Sequence, residues 1–407
     1  MFKRAVSAGF RHARSHARGY ATATAESQRS MISYAAGGAL VGGGSLLAAS
    51  TMWPAQADGA SVQSMLSEIS GRLAKVEAAL GVADYDTFKL LDLIKTARAT
   101  HPDNLMAKYF DFNYYYSLPV ELQKRLLVCC KSGAENADSG MGMYAMNPED
   151  YDLFKPYMNE VIKAYHKIKG EVKHVTNWDL STKADKLPAG GKLDLTKLGL
   201  GNTSMRVRVG RNLKDFPLPG AMSKENRISL EKQMLKAFKN LMADPAYGGR
   251  YYSLTPGTPE SISDSEYKQL VKEHLMFKDM AADPYLESAG ISSDWPYGRG
   301  CYVSQDRGFI VWVGEEDHLR IMCMKKGTVL NDVFDRLKGA CDVVEKNSGV
   351  FAHSPDYGYV TSCPTNLGSG MRASLHIKLP FLTKKGKDVS EAKKAAKTLG
   401  LSVRGVG

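Results

Sequence analysis

From Asp84 to about Ile168, apolar residues recur at three- and four-residue spacing. TFKLLDLIKTA, VELQKRLLVCC and EDYDLFKPYMNEVIKAYHKI all keep this rhythm, which predicts helices, and no alternating run interrupts them. Past residue 200 the period changes. SMRVRVGR alternates as a strand does, GCYVSQDRGFIVWVG reads as two strands about a short polar turn, and LRIMCMKK and ASLHIKLP are two more. Helical spacing returns between them in SLEKQMLKAFKNLM, EYKQLVKEHLMF and VLNDVFDRLKGACDVVEKN. Strand pairs joined by short turns argue for an antiparallel sheet. The predicted fold class is α+β. A small all-helical domain occupies 84–170, a polar linker rich in Gly, Lys and Pro covers 171–200, and an antiparallel sheet flanked by helices fills 201–407.

The start of the chain follows other rules. Residues 1–53 hold six Lys/Arg (Lys3, Arg4, Arg11, Arg14, Arg18, Arg29) against one acid, Glu26. With its Ala and Ser, this is the composition of a mitochondrial transit peptide; the bland alternative is a basic tail. No charge occurs between Ile32 and Ala57, a length that suits a bilayer crossing although the stretch is Gly-rich. Residues 1–58 therefore read as a presequence with an apolar segment, addressed to the intermembrane space or inner membrane. Val62, Leu66, Ile69, Leu73, Val76 and Leu80 then mark an a/d seam within 59–83. It predicts either a short coiled coil that makes a homo-oligomer through 62–80, or an amphipathic helix lying on the main body.

Composition narrows the classes. The 407 residues are 43% hydrophobic and 24% charged, as expected of a globular body with more than one domain. The formal charge is +11, of which about +6 lies beyond residue 53. That excess suits an anionic ligand or a membrane surface and is too small and dispersed to argue for nucleic acid. Cys129, Cys130, Cys301, Cys323, Cys341 and Cys363 form no Cys-x-x-Cys pair, so neither a disulfide framework nor a zinc site is expected.

The familiar nucleotide motifs, a G-x-x-x-x-G-K-[ST] loop or the protein-kinase H-R-D and D-F-G, are missing. LGSGMRA fits G-x-G-x-x-A, but it precedes a strand where a dinucleotide site needs a helix. Arginines placed in strands carry more information. Arg206 and Arg208, two apart, leave one face of a strand; Arg320 follows an acidic cluster and Arg372 precedes a strand. A lone strand arginine is usually a solvated surface residue. Several beside Gly-rich turns suggest a cationic bed for a polyphosphate, because phosphoryl transfer rests on positioning and charge stabilisation. Glu315, Glu316 and Asp317 end the strand FIVWV, either as a solvated turn or as carboxylates that hold a guanidinium. Cys363 precedes Pro364, and Thr365 is placed to hold its sulfur as thiolate; inert packing is the other reading.

CPTNLGSGMRASLHIKLP (363–380) resembles the signature of the ATP:guanidino phosphotransferases, which include creatine, arginine and taurocyamine kinases. SGAENADSGMGMYA, SMRVRVGRNLKDFPLP, EHLMFKD, DWPYGRGCY and VWVGEEDHLR resemble the same family, in order, and the resemblance covers about 84–407. It implies a helical domain plus an antiparallel sheet flanked by helices. The implied nucleotide residues are Ser204, Arg206, Arg208, His274, Arg320, Arg372 and His376. The implied catalytic residues are Glu316, which binds the guanidinium, and Cys363, the reactive cysteine that contacts it. ATP/ADP would bring Mg²⁺, held mainly by the phosphates and water. Ser139, Gly140, Met141 and Tyr144 fall on the family's substrate loop and Tyr165 on a specificity position, which implies arginine ahead of taurocyamine or another small guanidino compound. Two departures stand out. FKDMAADP lacks the family's acidic–basic pair. The resemblance also implies a mobile G-E-H-T-E loop, a strand and a basic helix after a V-R-G segment, whereas this chain reads Val403-Arg404-Gly405-Val406-Gly407; the expectation is then weak nucleotide binding and little activity, or a structural or membrane-contact role.

Overall fold

The computed structural model describes residues 85–179, 188, 191–201, 203–384, 387–398 and 400–403. The presequence, the apolar segment and the 62–80 seam lie outside the described residues, as does part of the 171–200 linker.

The helical half runs α1 (Tyr85–Thr100), α2 (Leu105–Tyr109), α3 (Phe112–Ser117), α4 (Val120–Glu135), α5 (Asp150–Leu153) and α6 (Lys155–His166). Leu91, Ile94 and Ala97, three apart on α1, bury against Leu126, Cys129 and Cys130 of α4. Asn104 and Asp111 cap α2 and α3 by accepting backbone N–H groups, which explains two short helices that periodicity alone does not announce. The run EDYDLFKPYMNEVIKAYHKI is two helices, not one. Pro156 has no N–H to return to the preceding turn, so the chain breaks at Phe154 and restarts with the proline in the first turn of α6.

The second half runs β1 (Thr203–Arg211), α7 (Lys224–Met242), β2 (Gly249–Ser253), α8 (Asp264–Lys272), α9 (Pro284–Ser288), β3 (Gly300–Ser304), β4 (Phe309–Val313), β5 (Leu319–Gly327), α10 (Leu330–Ser348), a β6–β7 ribbon (His353–Ser354, Gly358–Tyr359), β8 (Met371–His376) and α11 (Ser390–Thr398). Six strands form one sheet in the order β2-β3-β4-β5-β1-β8, antiparallel throughout. The α+β expectation therefore holds. Burial alternates along β1, so Met205, Val207 and Val209 enter the core under Met234 and Phe238 of α7 and Leu337 and Val344 of α10. The opposite face is covered over β3–β5 by Leu270, Leu275, Met276 and Phe277, which pack on Cys301, Ile310 and Met322. Toward β1 and β8 that face stays polar.

Three sequence expectations change. The helix read through EYKQLVKEHLMF stops at Lys272. His274 takes φ +60°, and Leu275 turns inward, its carbonyl accepting the Trp312 indole N–H at 2.7 Å. The strand read through ASLHIKLP ends at His376, short of Lys378 and Pro380. Strand β2 was not foreseen: its five residues are too few to show a period, and it exists because Gly249 lets the chain approach β3, where a Cβ would lie 2.1 Å from the Val303 carbonyl.

Candidate active site

The arginines converge through strand register. β1 pairs with β8 so that Arg208 faces Arg372, Arg206 faces Ser374 and Ser204 faces His376; on its other side Gly210 faces Arg320 of β5. Directly opposed residues share a face, so Ser204, Arg206, Arg208, Arg320, Arg372 and His376 all lie on the open face of the sheet. Among the described residues, Arg320 alone of the four guanidiniums has acidic partners, Glu315 at 2.7 Å and Glu316 at 3.6 Å, and it stacks 5.3 Å from the Trp312 ring. Arg206 donates to the Met322 sulfur at 2.7 Å. Burial, then the guanidiniums of Arg320, Arg206 and Arg372, push Arg208 down to about 10. Arg206 is lowered by burial and by Arg320 and Arg372. Crowded cations with too few acids form an anion site by construction.

A cavity of about 290 Å³ opens on this bed, lined among others by Arg208, Asp317, Arg320, Thr365, Ser369 and Arg372. His274 is not brought into it: it is exposed in the turn after α8, and among the described residues no side-chain hydrogen bond or ion pair links it to the arginines.

The second cluster is assembled from loops. Ser139 Oγ accepts the Gly142 N–H at 3.0 Å, while the Gly140 and Met141 carbonyls accept the N–H groups of Leu105 and Met106, both at 3.1 Å. Gly142 has φ +77°, and a Cβ there would lie 2.5 Å from Asn104 Oδ1. The clamped loop presents Tyr144, and the Ala145 N–H then bonds the Ser362 carbonyl at 2.8 Å. Cys363 joins the core of the helical half beside this loop. Its sulfur is 3.1 Å from Thr365 Oγ1, as anticipated, yet burial and the Glu316 carboxylate raise the thiol well above its ordinary value. Burial therefore favours the thiol at Cys363 over the thiolate suggested by its sequence setting. Burial, Asp317 and Glu315 push Glu316 up to about 7. Tyr144, half-buried, is raised too, by burial and then by Cys363 and Glu316. Tyr165 stands apart: it is exposed on α6, its ring edge-on to His166, and no hydrogen bond or ring contact joins it to Tyr144, Glu316 or Cys363.

Two side chains in this region were not singled out from sequence. His166 lines the cavity, and its Nε2 lies 2.9 Å from the Pro364 carbonyl, which can only accept, so that nitrogen carries the proton. Asp317 was visible only as one of three acids; its burial needs the fold. Among the described residues no cluster of three or more His, Cys, Asp or Glu is placed to hold a metal ion.

Known proteins resemble this chain. The profile of the ATP:guanido phosphotransferase N-terminal domain matches residues 100–163, and that of the C-terminal catalytic domain matches 229–407. An arginine kinase of Liolophura japonica is 38% identical over 314 residues, 74% of this chain and 82% of that protein. One from Anthopleura japonica is 39% identical over 69% of this chain, which spans only 37% of that longer protein. The solved structure of the duplicated taurocyamine kinase of Schistosoma mansoni, with bound transition-state-analogue components, superposes with TM-score 0.65 at 36% identity, over 78% of this chain and 43% of that one. With an arginine-lined sheet face and an acidic turn beside it, the chain belongs to the ATP:guanido phosphotransferase family, the phosphagen kinases, and is most like the arginine kinases.

Proposed function

We propose that this chain transfers the γ-phosphoryl of ATP reversibly to the guanidino nitrogen of arginine, and so buffers ATP. The observation that carries the reading is the junction of two opposite fields on one cavity: Arg208, Arg320 and Arg372 on one side, Asp317 with the adjoining Glu316 on the other. The bed fits a polyphosphate, since among the described residues three of its four guanidiniums lack an acidic partner. Nucleotide phosphates and water hold the Mg²⁺ in this reading, and the ion supplies further charge neutralisation to the transferring group. Arg206, Arg208, Arg320 and Arg372 orient the phosphates, and Arg320 is shared between phosphate and carboxylate. Glu316, once ionised, pairs with the cationic guanidinium and aligns its nitrogen. Cys363 adds a polarisable contact on the same side, and Tyr144 with the Ser139–Met141 turn fits the substrate's tail.

Taurocyamine is the second reading, favoured by the structural likeness to the Schistosoma enzyme. A side-by-side assay of arginine, taurocyamine and creatine with MgATP decides between them. Preference for arginine is expected; preference for taurocyamine promotes the second reading, and turnover of creatine alone overturns both. We also place the protein in the mitochondrion, at the intermembrane space or inner membrane, on the Arg-rich start and the uncharged stretch from Ile32. Residues 1–60 fused to a fluorescent reporter should reach mitochondria; a diffuse cytosolic signal refutes the address. Self-association through 62–80 belongs to the same proposal.

A further inference from the structure

The segment Thr361–Cys363 carries the substrate-side thiol between the two halves of the molecule. Its carbonyls face the helical half: Tyr151 OH donates to the Thr361 carbonyl at 2.9 Å, and the Ala145 N–H to the Ser362 carbonyl at 2.8 Å. Toward the sheet it has, among the described residues, one N–H anchor. Ser362 N–H donates to Asp317 Oδ1 at 2.8 Å. The same oxygen takes Asn212 Nδ2–H at 2.8 Å, just past the end of β1. Asn212 is fixed in turn, its Oδ1 accepting the His318 N–H at 2.8 Å and its amide reaching the Val360 carbonyl at 3.0 Å. Asp317 is 5% exposed and forms no ion pair among the described residues, an expensive arrangement for a group that only fills space. Room for its second oxygen comes from Gly210, where a Cβ would stand 2.6 Å from Oδ2. Gly210 lies opposite Arg320 in the bed, and both residues line the cavity with Asp317.

We infer that Asp317 is a positioning residue, a clamp that fixes the Cys363 segment to the end of the nucleotide strand and so sets the separation of guanidino nitrogen and phosphorus. The substrate meaning of the clamp rests on the function proposed above; the clamp itself does not. Phosphoryl transfer tolerates little misplacement of its partners, and one carboxylate oxygen here bridges the element that carries the arginines and the element that carries the thiol. An amide at this position keeps the accepting oxygen, so Asp317→Asn retains the clamp, whereas Asp317→Ala and Asn212→Ala each break part of it.

The test is the rate at which iodoacetamide alkylates Cys363 in the full chain, read by peptide mass spectrometry, with buried Cys341 as the control for global unfolding. Asp317→Ala and Asn212→Ala should each speed Cys363 alkylation about tenfold, as expected when a buried hydrogen bond is lost, and Asn212→Ala should raise KM for the guanidino substrate while leaving MgADP affinity within about twofold. Asp317→Asn should stay within about twofold of the parent rate, the rescue expected if the accepting oxygen is what matters. Parent-like Cys363 rates in both alanine variants overturn the proposal, as does an Asn variant that opens as far as Asp317→Ala. Should Asp317→Ala unfold, seen as equal acceleration at Cys341, the Asn212→Ala result decides. Alkylation needs no turnover, so a chain that phosphorylates no guanidino compound sinks the functional proposal and leaves this result standing.

Discussion

The arginine bed and the substrate corner each lend residues to one cavity, Arg208, Arg320 and Arg372 from the first and Asp317 and Thr365 from the second, but are built on opposite principles. The bed is regular: strand alternation and antiparallel register aim Arg206, Arg208, Arg320 and Arg372 at the same side, and among the described residues three of the four have no acidic partner. The corner is irregular. Its residues come from the 139–144 loop, the 315–317 turn and the 361–365 segment, and backbone hydrogen bonds hold nearly every one in place. The bed stores uncompensated charge that a ligand relieves. The corner is held by hydrogen bonds within the protein. Removing a bed residue should therefore cost function and spare stability, while loosening the corner should cost both.

The largest effect is expected from Arg208→Ala, with kcat lowered about 10²–10³-fold, the usual loss for one phosphate-directed donor. The variant should melt no lower than the parent, because repulsion among crowded cations is relieved. Arg208→Lys should recover only part of the rate, since a point charge cannot replace a guanidinium fork. A marked drop in melting temperature for Arg208→Ala would erase the contrast between bed and corner.

Next comes Glu316→Gln, which should lower turnover by at least ~10²-fold by removing the charged partner of the guanidinium. Near-normal turnover would remove Glu316 from the role assigned to it. The pH dependence sharpens the same point. Because the Glu316 carboxyl is raised to about 7, it is protonated below that value and cannot pair with a cation. In the free enzyme kcat/KM for the guanidino substrate should fall as pH drops through about 7, approaching tenfold per unit, and the limb should vanish in Glu316→Gln. A profile flat from pH 6 to 8 contradicts this.

The smallest effect is on the loop. Gly142→Ala meets both a positive φ and the Asn104 side chain, and should cost about 2 kcal/mol of stability in chemical denaturation. It should raise KM for the guanidino substrate more than for MgATP. An unchanged midpoint would mean that the loop is not clamped as described.

The same contrast governs what the sequence discloses. β1 is legible because its period of two is written over nine residues, so the shared face of Arg206 and Arg208 follows before any fold is known. Arg320 and Arg372 could be suspected as strand arginines, but their approach to β1 is register, which one strand's pattern does not contain. The corner is less legible still. Asp317 looks like its neighbours Glu315 and Glu316 until Asn212 and Ser362, 105 and 45 residues away, are brought against it. Thr365 beside Cys363 was foreseeable at a separation of two; the burial that outweighs it, and keeps the thiol protonated, was not. His274 and Tyr165, matched by position within motifs, stand outside both clusters because the backbone turns at 274 and the face of α6 bearing Tyr165 is exposed.

Strand β1 also makes a forecast about lineage. Its odd positions hold up the core and its even positions hold the cations, so one stretch of nine residues is read in two frames at once. Point changes can be absorbed in either frame separately. A single-codon deletion or insertion inside 203–211 cannot, since it would drive Arg206 and Arg208 under α7 and α10 and turn methionine and valine toward the phosphates. Length in this segment should therefore be the trait that descendants of this chain never vary, whatever happens to the letters.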